Sequence, residues 1–222
     1  MIKYDFHKRE QNINWSINTI EVLLENSTRL KSASYLIYAA LECRLIIERV
    51  EFEILVMAAH KSENTEWIEL IKSFKGIQKV NSKYKGLKMR YQTFTEAFSK
   101  ALIKNYPLKP FDFKTAEKIE SELSHYIHIY YLQKEELDFE STFMQAGFKL
   151  IKTTLTFLKN LFLKKEDSYF IGVLNFASLK DEVGNEFKDW LLRKDEDVAS
   201  LTNRLVAINV KGNNGQKLDV KI

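Results

Sequence analysis

Glycine and proline are scarce in the first 165 residues, where the chain has only Gly76, Gly86, Gly147, Pro107 and Pro110. Sandwiches and barrels need turn residues at short, regular intervals, so this scarcity argues against both. Apolar residues instead recur at spacings of three and four, which predicts amphipathic helices. The longest such row, on the second predicted helix, comprises Leu36, Ala40, Cys43, Ile47, Val50, Ile54 and Met57.

The sequence therefore predicts a mainly α protein, an up-and-down helical bundle of five to six helices followed by a small C-terminal β-hairpin. We expect the bundle in residues 1–165 and a small α+β appendage in residues 166–222. The hairpin is expected because residues 205–210 and 217–222 alternate between apolar and polar side chains. The intervening residues 211–216 contain two glycines and two asparagines, which favour a tight turn.

The amino-acid composition indicates the environment of the protein more than the reaction that it performs. The 222 residues are 45% hydrophobic and 29% charged, which is typical of a globular protein. No stretch has the ~18 to 20 apolar residues that a membrane span requires, so we expect no membrane partner. The single cysteine, Cys43, lies in an apolar row and is interpreted as a buried, reduced thiol of a cytoplasmic protein. No Gly-rich phosphate loop or Cys-x-x-Cys pair is present, and we expect no cofactor.

Positive charge is concentrated between residues 70 and 95, where seven basic side chains occur without Asp or Glu. Aromatic residues are interleaved with them, a combination that suits single-stranded nucleic acid, because bases stack on rings while cations meet phosphates. The alternative is a solvated helical face whose aromatic residues point into the core. The candidate nucleic-acid-binding residues are Lys72, Lys75, Lys79, Lys83, Tyr84, Lys85, Lys88, Arg90 and Tyr91.

Two of the four histidines, His125 and His128, lie close together on a predicted helix. Ser124 and other polar residues share a flank of that helix with His128, and such a flank is suited to acid–base chemistry. A histidine placed there can accept a proton from an RNA 2′-hydroxyl or donate one to a leaving oxygen. The alternative is an exposed or interface pair with no catalytic role. The sequence supplies no third ligand to complete a zinc site, so no metal is predicted.

Arg44 and Glu48 interrupt the apolar second helix one turn apart. Charges inside a bundle are costly unless they are paired. They are therefore expected either to form a structural ion pair, which we favour, or to face a cleft.

Two segments resemble the HEPN domain superfamily. Residues 38–49 (YAALECRLIIER) are similar to its second helix, and residues 121–128 (SELSHYIH) to its later histidine-bearing helix. The resemblance covers about residues 5–163. It implies a helical bundle that usually dimerises, and that often acts as a metal-independent ribonuclease in bacterial toxin and antiviral systems. Some members only bind RNA or partner proteins.

This chain departs from the catalytic members, in which four to six residues separate an Arg from the active His that follows it. Lys118, Ile119 and Glu120 stand there for His125, and none of them is an Arg. Lys118 offers a point charge rather than a bidentate clamp, whereas Arg44 is a substitute if the fold brings it beside His128. The resulting candidate catalytic set is His128, His125, Arg44, Glu48, Ser124 and Lys118.

The sequence thus predicts a HEPN-like homodimer that binds, and in one version cleaves, RNA or single-stranded nucleic acid in an antiviral defence or toxin–antitoxin system. The alternative is a non-catalytic interaction module, with the histidine helix in a dimer interface and the C-terminal hairpin added to a partner's sheet. A small-molecule pocket within the bundle is a third hypothesis, without a convergent set of polar residues to support it.

Overall fold

The computed structural model describes residues 6–62, 69, 85–102, 109–162, 169–170, 181–192 and 197–213. Seven α-helices with assigned bounds lie in these ranges: α1 (Phe6–Leu30), α2 (Ala33–Ser62), α3 (Lys85–Leu102), α4 (Phe113–Ile127), α5 (Thr142–Phe162), α6 (Asp181–Leu192) and α7 (Val198–Asn213). A 3-10 turn, Ile129–Tyr131, follows α4. The prediction of a mainly helical chain is confirmed, and five of these seven helices, α1 to α5, lie within residues 1–165.

The described residues also contain one minimal parallel pairing, between β1 (Lys109–Pro110) and β2 (Tyr169–Phe170). Lys109 lies opposite Tyr169, and Pro110 lies opposite Phe170. Proline has no backbone N–H to donate, so it weakens any extension of the ladder.

The chain forms two compact units. The first comprises residues 1–49 and 114–164, and the second comprises residues 50–113 and 165–222. The chain passes from the first unit to the second within α2, between Arg49 and Val50. The division into a bundle up to residue 165 and an appendage after it stays a prediction.

In the first unit, an apolar row on α1 and the row read from the sequence on α2 form the core. Ile13, Ile17 and Ile20 of α1 are buried, as are Leu36, Ala40, Cys43 and Ile47 of α2. Burial raises the pKa of the Cys43 thiol well above its ordinary value, because the thiolate would lose its solvation. An ion pair between Glu21 and Lys159 joins α1 to α5 at the surface. Cys43 is thus a free, buried thiol, as expected.

Helix α4 buries Ala116, Ile119 and Leu123, but it ends at Ile127. A helix that continued beyond Ile127 would carry Tyr130 onto the same face as Leu123, seven residues earlier. His128 leaves helical geometry with φ −96° and ψ 65°, so the helical periodicity stops before Tyr130. The tyrosine is exposed as a result.

The end of α4 is held against α5 by one close contact. The Tyr126 ring lies over Gly147, and a Cβ at Gly147 would sit 2.5 Å from Tyr126 Cε1. Phe143 flanks the same ring at a centroid distance of 4.6 Å. Only glycine lets the ring approach this closely, so Gly147 sets where the residues beside Tyr126 lie.

The second unit has an aromatic core built on α3. Phe94, Phe98 and Phe187 are buried, and Phe94 contacts Phe187 edge-on at 4.8 Å. Helix α3 packs on both α7 and α6. Arg204 of α7 and Glu186 of α6 form an ion pair with an N–O distance of 2.8 Å.

The predicted C-terminal hairpin was wrong. Its first arm, residues 205–210, lies inside α7, and residues 214–222 are outside the described residues. Leu201, Leu205 and Asn209 are buried at four-residue spacing, which is the pattern of a helix face. A short apolar run fits the periodicity of a strand as well as that of a helix. Here the packing against α3 favours the helix. The predicted addition of this hairpin to a partner's sheet is therefore wrong as well.

Asp197 marks the start of α7. Its carboxylate accepts the Ser200 backbone N–H at 2.8 Å and the Ser200 hydroxyl at 3.1 Å. These bonds, the backbone one first, lower the pKa of Asp197 below its ordinary value. Asp197 is therefore an N-cap, and it is the local sequence signal for a helix in this region.

We expect Asp197→Ala to lower the melting temperature at neutral pH, because the helix loses its cap. The folded pKa is depressed, so this stabilisation is complete above the ordinary carboxyl pKa of about 3.9. It is lost as pH falls through the lower folded pKa. The melting difference between wild type and variant, followed by circular dichroism, should shrink toward pH 3. Asp197→Asn keeps a cap without the charge and should show little such pH dependence, and a difference constant with pH would contradict this assignment.

We expect Gly147→Ala to destabilise the protein by about 1–3 kcal/mol, because the added methyl displaces the Tyr126 ring. Chemical denaturation measures the loss. The matched background is Tyr126→Leu, in which the ring is absent and Gly147→Ala should cost much less. Equal costs in both backgrounds would show that this contact is not limiting.

Candidate functional site

Arg44 connects α2 to α4 within the first unit. Its Nε donates to Glu48 Oε1 at 2.7 Å, and its Nη1 donates to Ser124 Oγ at 3.0 Å. The Arg44 side chain is 27% exposed, and Glu48 is partly exposed. The expected Arg44–Glu48 ion pair is confirmed, and the guanidinium also reaches the histidine helix.

Ser124 passes this hydrogen bond on to the backbone. Its Oγ accepts from Arg44 and donates to the carbonyl oxygen of Glu120 at 2.7 Å. Because the hydroxyl proton is committed to that carbonyl, Ser124 in this geometry is an anchor for Arg44 rather than a nucleophile.

His128 lies one turn beyond Ser124. Its backbone N–H donates to the Ser124 carbonyl oxygen at 3.1 Å, which places the two residues on the same flank of α4. The His128 side chain is exposed, and its ring centroid is 6.5 Å from that of Tyr130. Arg44, Ser124 and His128 therefore follow one another along a single edge of the first unit.

His125 and Lys118 lie on another flank of α4. Both side chains are exposed, and Lys118 Nζ is 3.8 Å from Glu122 Oε1. A helix turns 100° per residue, so Lys118 sits roughly 120° around α4 from Ser124. The structure thus brings Arg44, Glu48 and Ser124 together with His128 at the next turn, and Lys118 does not join them.

The two imidazoles and part of the guanidinium remain available. Within the part of the chain that the structure describes, neither His125 nor His128 has a side-chain hydrogen bond. Arg44 Nη2 likewise has no partner there. A guanidinium with free N–H groups binds phosphate oxygens well, and an exposed imidazole can exchange protons.

Two of the predicted nucleic-acid-binding residues are engaged in the core of the second unit. Tyr91 is 1% exposed and packs edge-on against Phe113 and Phe187 at 6.3 and 6.1 Å. Arg90 Nε donates to the Trp190 carbonyl oxygen at 2.7 Å, and its Cζ lies 4.3 Å from the Trp190 ring centroid. Tyr91 has no ring face to offer a base, and the Arg90 guanidinium is held by Trp190.

Most lysines of the basic segment, residues 70–95, lie outside the described residues. Lys85 and Lys88 belong to the first turn of α3, and their side chains are outside the described set. The others are also outside the described residues, namely Lys72, Lys75, Lys79, Lys83 and Tyr84. Nucleic-acid binding by these lysines stays a prediction.

Sequence reasoning missed the exposure of Tyr130 and Tyr131. The helix ends at Ile127 without a glycine or proline to mark the end. The sequence signal for an exposed segment after α4 is the group of acidic residues that begins at Glu135, because it interrupts the regular recurrence of apolar residues.

Among the described side chains, no three from His, Cys, Asp and Glu gather where they would hold one metal ion. None of the described helices combines the length and the apolar character needed to cross a bilayer.

Comparisons with protein-family models, with curated proteins and with solved structures found no match. The likeness to HEPN domains therefore rests on the residues of this chain alone and remains a hypothesis.

Proposed function

We propose that this protein is a HEPN-like, RNA-acting protein of the cytoplasm that binds single-stranded RNA and cleaves it without a metal, in an antiviral defence or toxin–antitoxin system. The observation that carries the proposal is the hydrogen bond from Arg44 to Ser124. It supports the use of Arg44, from α2, in place of the arginine that catalytic HEPN members carry before the active histidine.

The chemistry is an internal transesterification. The RNA 2′-hydroxyl attacks the adjacent phosphorus and loses its proton to one imidazole, and the bond to the 5′-oxygen breaks as that oxygen takes a proton from the other, protonated imidazole. The products are a 2′,3′-cyclic phosphate and a 5′-hydroxyl. His128 and His125 are the two groups assigned to these proton transfers, because residues three apart on a helix are neighbours even though His125 lies on the adjoining flank.

Arg44 serves the phosphate in this scheme. Negative charge accumulates on the non-bridging oxygens as the 2′-oxygen attacks, and a guanidinium already in place stabilises it without further reorganisation. Glu48 and Ser124 are positioning residues, because each holds one nitrogen of Arg44. Nη2 is left for the substrate.

Affinity comes from the lysines of residues 70–95 in this proposal. Each phosphate contact releases counterions, so binding weakens steeply as salt increases. Arg90 and Tyr91 are omitted from the RNA-binding set because Trp190 and the aromatic core hold them.

The decisive test is cleavage of a labelled single-stranded RNA oligonucleotide by purified protein in the presence of chelator. We expect His128→Ala to reduce the rate by about 100-fold or more. Arg44→Lys should reduce it by about 10-fold or more, since lysine keeps the charge but loses the fork geometry. The matched control is Arg29→Lys, which changes an exposed arginine of α1 whose one hydrogen bond among the described residues is to Asn26.

Product analysis separates this mechanism from a contaminating nuclease. Cyclic phosphate ends that disappear in His128→Ala and persist in Arg29→Lys support the proposal. Undiminished cleavage by the combined His125→Ala/His128→Ala variant would refute it.

A second candidate role, self-association, is favoured by a separate observation on α2. Tyr38, Leu41 and Leu45 are exposed and follow one another at spacings of three and four. They form an apolar row on the side opposite the buried residues of the helix. We propose that this row packs against a second copy of the chain.

Light scattering after size exclusion tests the dimer. Leu41→Glu should shift the protein from dimer to monomer, because a carboxylate in an apolar contact loses its solvation. Val22→Glu, at an exposed valine of α1, is the control and should leave the mass unchanged. A wild-type protein that is monomeric at high concentration would exclude this role.

A further inference from the structure

Two consecutive tyrosines are displayed at the end of α4. Tyr130 is 88% exposed and Tyr131 is 55% exposed, and their ring planes are nearly perpendicular at a centroid distance of 5.8 Å. Aromatic rings carry a large apolar surface that gains free energy when it is covered. Two of them side by side therefore form a candidate contact surface.

The rings are held by the backbone around them. Leu132 N–H donates to the Ile129 carbonyl oxygen at 3.0 Å and closes the 3-10 turn. The Tyr131 hydroxyl donates to the carbonyl oxygen of His125 at 3.4 Å, in the last turn of α4. Tyr131 is thereby tied to the helix, while Tyr130 projects beyond it.

The residues that follow are acidic. Between Leu132 and Glu140 there are four carboxylates and one lysine, Lys134. Glu140 pairs with Lys31 at 2.9 Å, which leaves Glu135, Glu136 and Asp138 against Lys134. All three of these acidic side chains are exposed.

The acidic turn is folded by its own hydrogen bonds. Glu136 Oε2 accepts the Gln133 backbone N–H at 2.9 Å, and Asp138 Oδ1 accepts the Glu140 backbone N–H at 2.8 Å. These bonds fold the acidic segment into a turn directly after the tyrosines in the chain, and its carboxylates stay exposed. The carbonyl end of α4 adds partial negative charge.

We propose that residues 129–138, the tyrosine–acid turn, bind a lysine- and arginine-rich segment of a partner protein. The electron-rich faces of Tyr130 and Tyr131 accept cationic side chains. Glu135 and Glu136 provide the opposite charges next to them. An RNA strand does not suit the acidic part of this turn, because its phosphates would meet the exposed carboxylates of Glu135, Glu136 and Asp138.

The tyrosine–acid turn contrasts with the rest of the molecule. The whole chain carries a net charge of +4, so nonspecific attraction disfavours a basic partner overall. Binding of such a partner would have to be local to the turn. The inference does not depend on RNA cleavage and can hold or fail independently of it.

The test is fluorescence anisotropy with a labelled octalysine peptide and the full chain. We expect binding that weakens between about 50 mM and about 200 mM salt, as screening of close charges requires. The combined Tyr130→Ala/Tyr131→Ala variant should raise the dissociation constant by about 5-fold or more. Tyr130→Phe retains the ring and should bind nearly as wild type does.

Charge and position have matched controls. Glu135→Gln should weaken binding by about 2-fold, whereas Glu25→Gln, at an exposed glutamate of α1, should not change it. Trp15→Ala removes an exposed aromatic ring from α1 and should leave the affinity intact.

Three results would overturn the inference. One is the absence of octalysine binding at low salt, and another is binding unaffected by loss of both tyrosines. The third is a single-stranded RNA oligonucleotide that depends on the two tyrosines more strongly than octalysine does, which would make the rings a surface for nucleobases. Should the double variant unfold, Tyr130→Ala alone decides, since that ring is the more exposed and Tyr131 keeps its bond to α4.

Discussion

The Arg44 hydrogen bonds are the constraint on which the candidate site depends. A guanidinium that is only a quarter exposed needs partners for its N–H groups, and it finds one on its own helix and one on α4. The bond to Ser124 fixes which face of α4 meets α2. His128 follows Ser124 by one turn, so the same contact determines how far a fixed cation lies from an exposed imidazole. A replacement at Arg44 would therefore alter both the charge and the relation between the two helices.

The termination of α4 is the second determinant. Tyr126 is wedged over Gly147 and beside Phe143, which fixes the last helical turn against α5. The chain then leaves the helix at His128 and closes a 3-10 turn. Had the helix continued, its periodicity would have carried Tyr130 toward the buried face that Leu123 occupies. Because it stops, the tyrosines are exposed, and the acidic residues after them line a surface instead of a helix flank.

Helical periodicity predicted the features that depend on residues close together on one helix. In the row that begins at Leu36, the five residues up to Val50 are buried as expected, and Arg44 and Glu48 pair because they are four residues apart on one helix. Partners distant in sequence were out of reach: Ser124 is 80 residues from Arg44, and Trp190 is 100 residues from Arg90. The alternation in residues 205–210 fits a strand as well as a helix face, and packing selects between them. Tyr91 shows the same ambiguity, since an aromatic residue among lysines fits both a stacking surface and a core.

The two proposed surfaces have opposite charge and meet at His128. On one side, Arg44 offers N–H groups to a phosphate, and on the other, Tyr130 and the carboxylates after it attract cations. The ring centroids of His128 and Tyr130 are only 6.5 Å apart, so a basic segment seated on the tyrosine–acid turn would restrict access to the imidazole. If both proposals hold, binding of the partner and binding of RNA are linked. Linkage is reciprocal, so each ligand must weaken the other by the same factor. A basic partner would then act as an inhibitor through the surface that it covers, without any change in the fold.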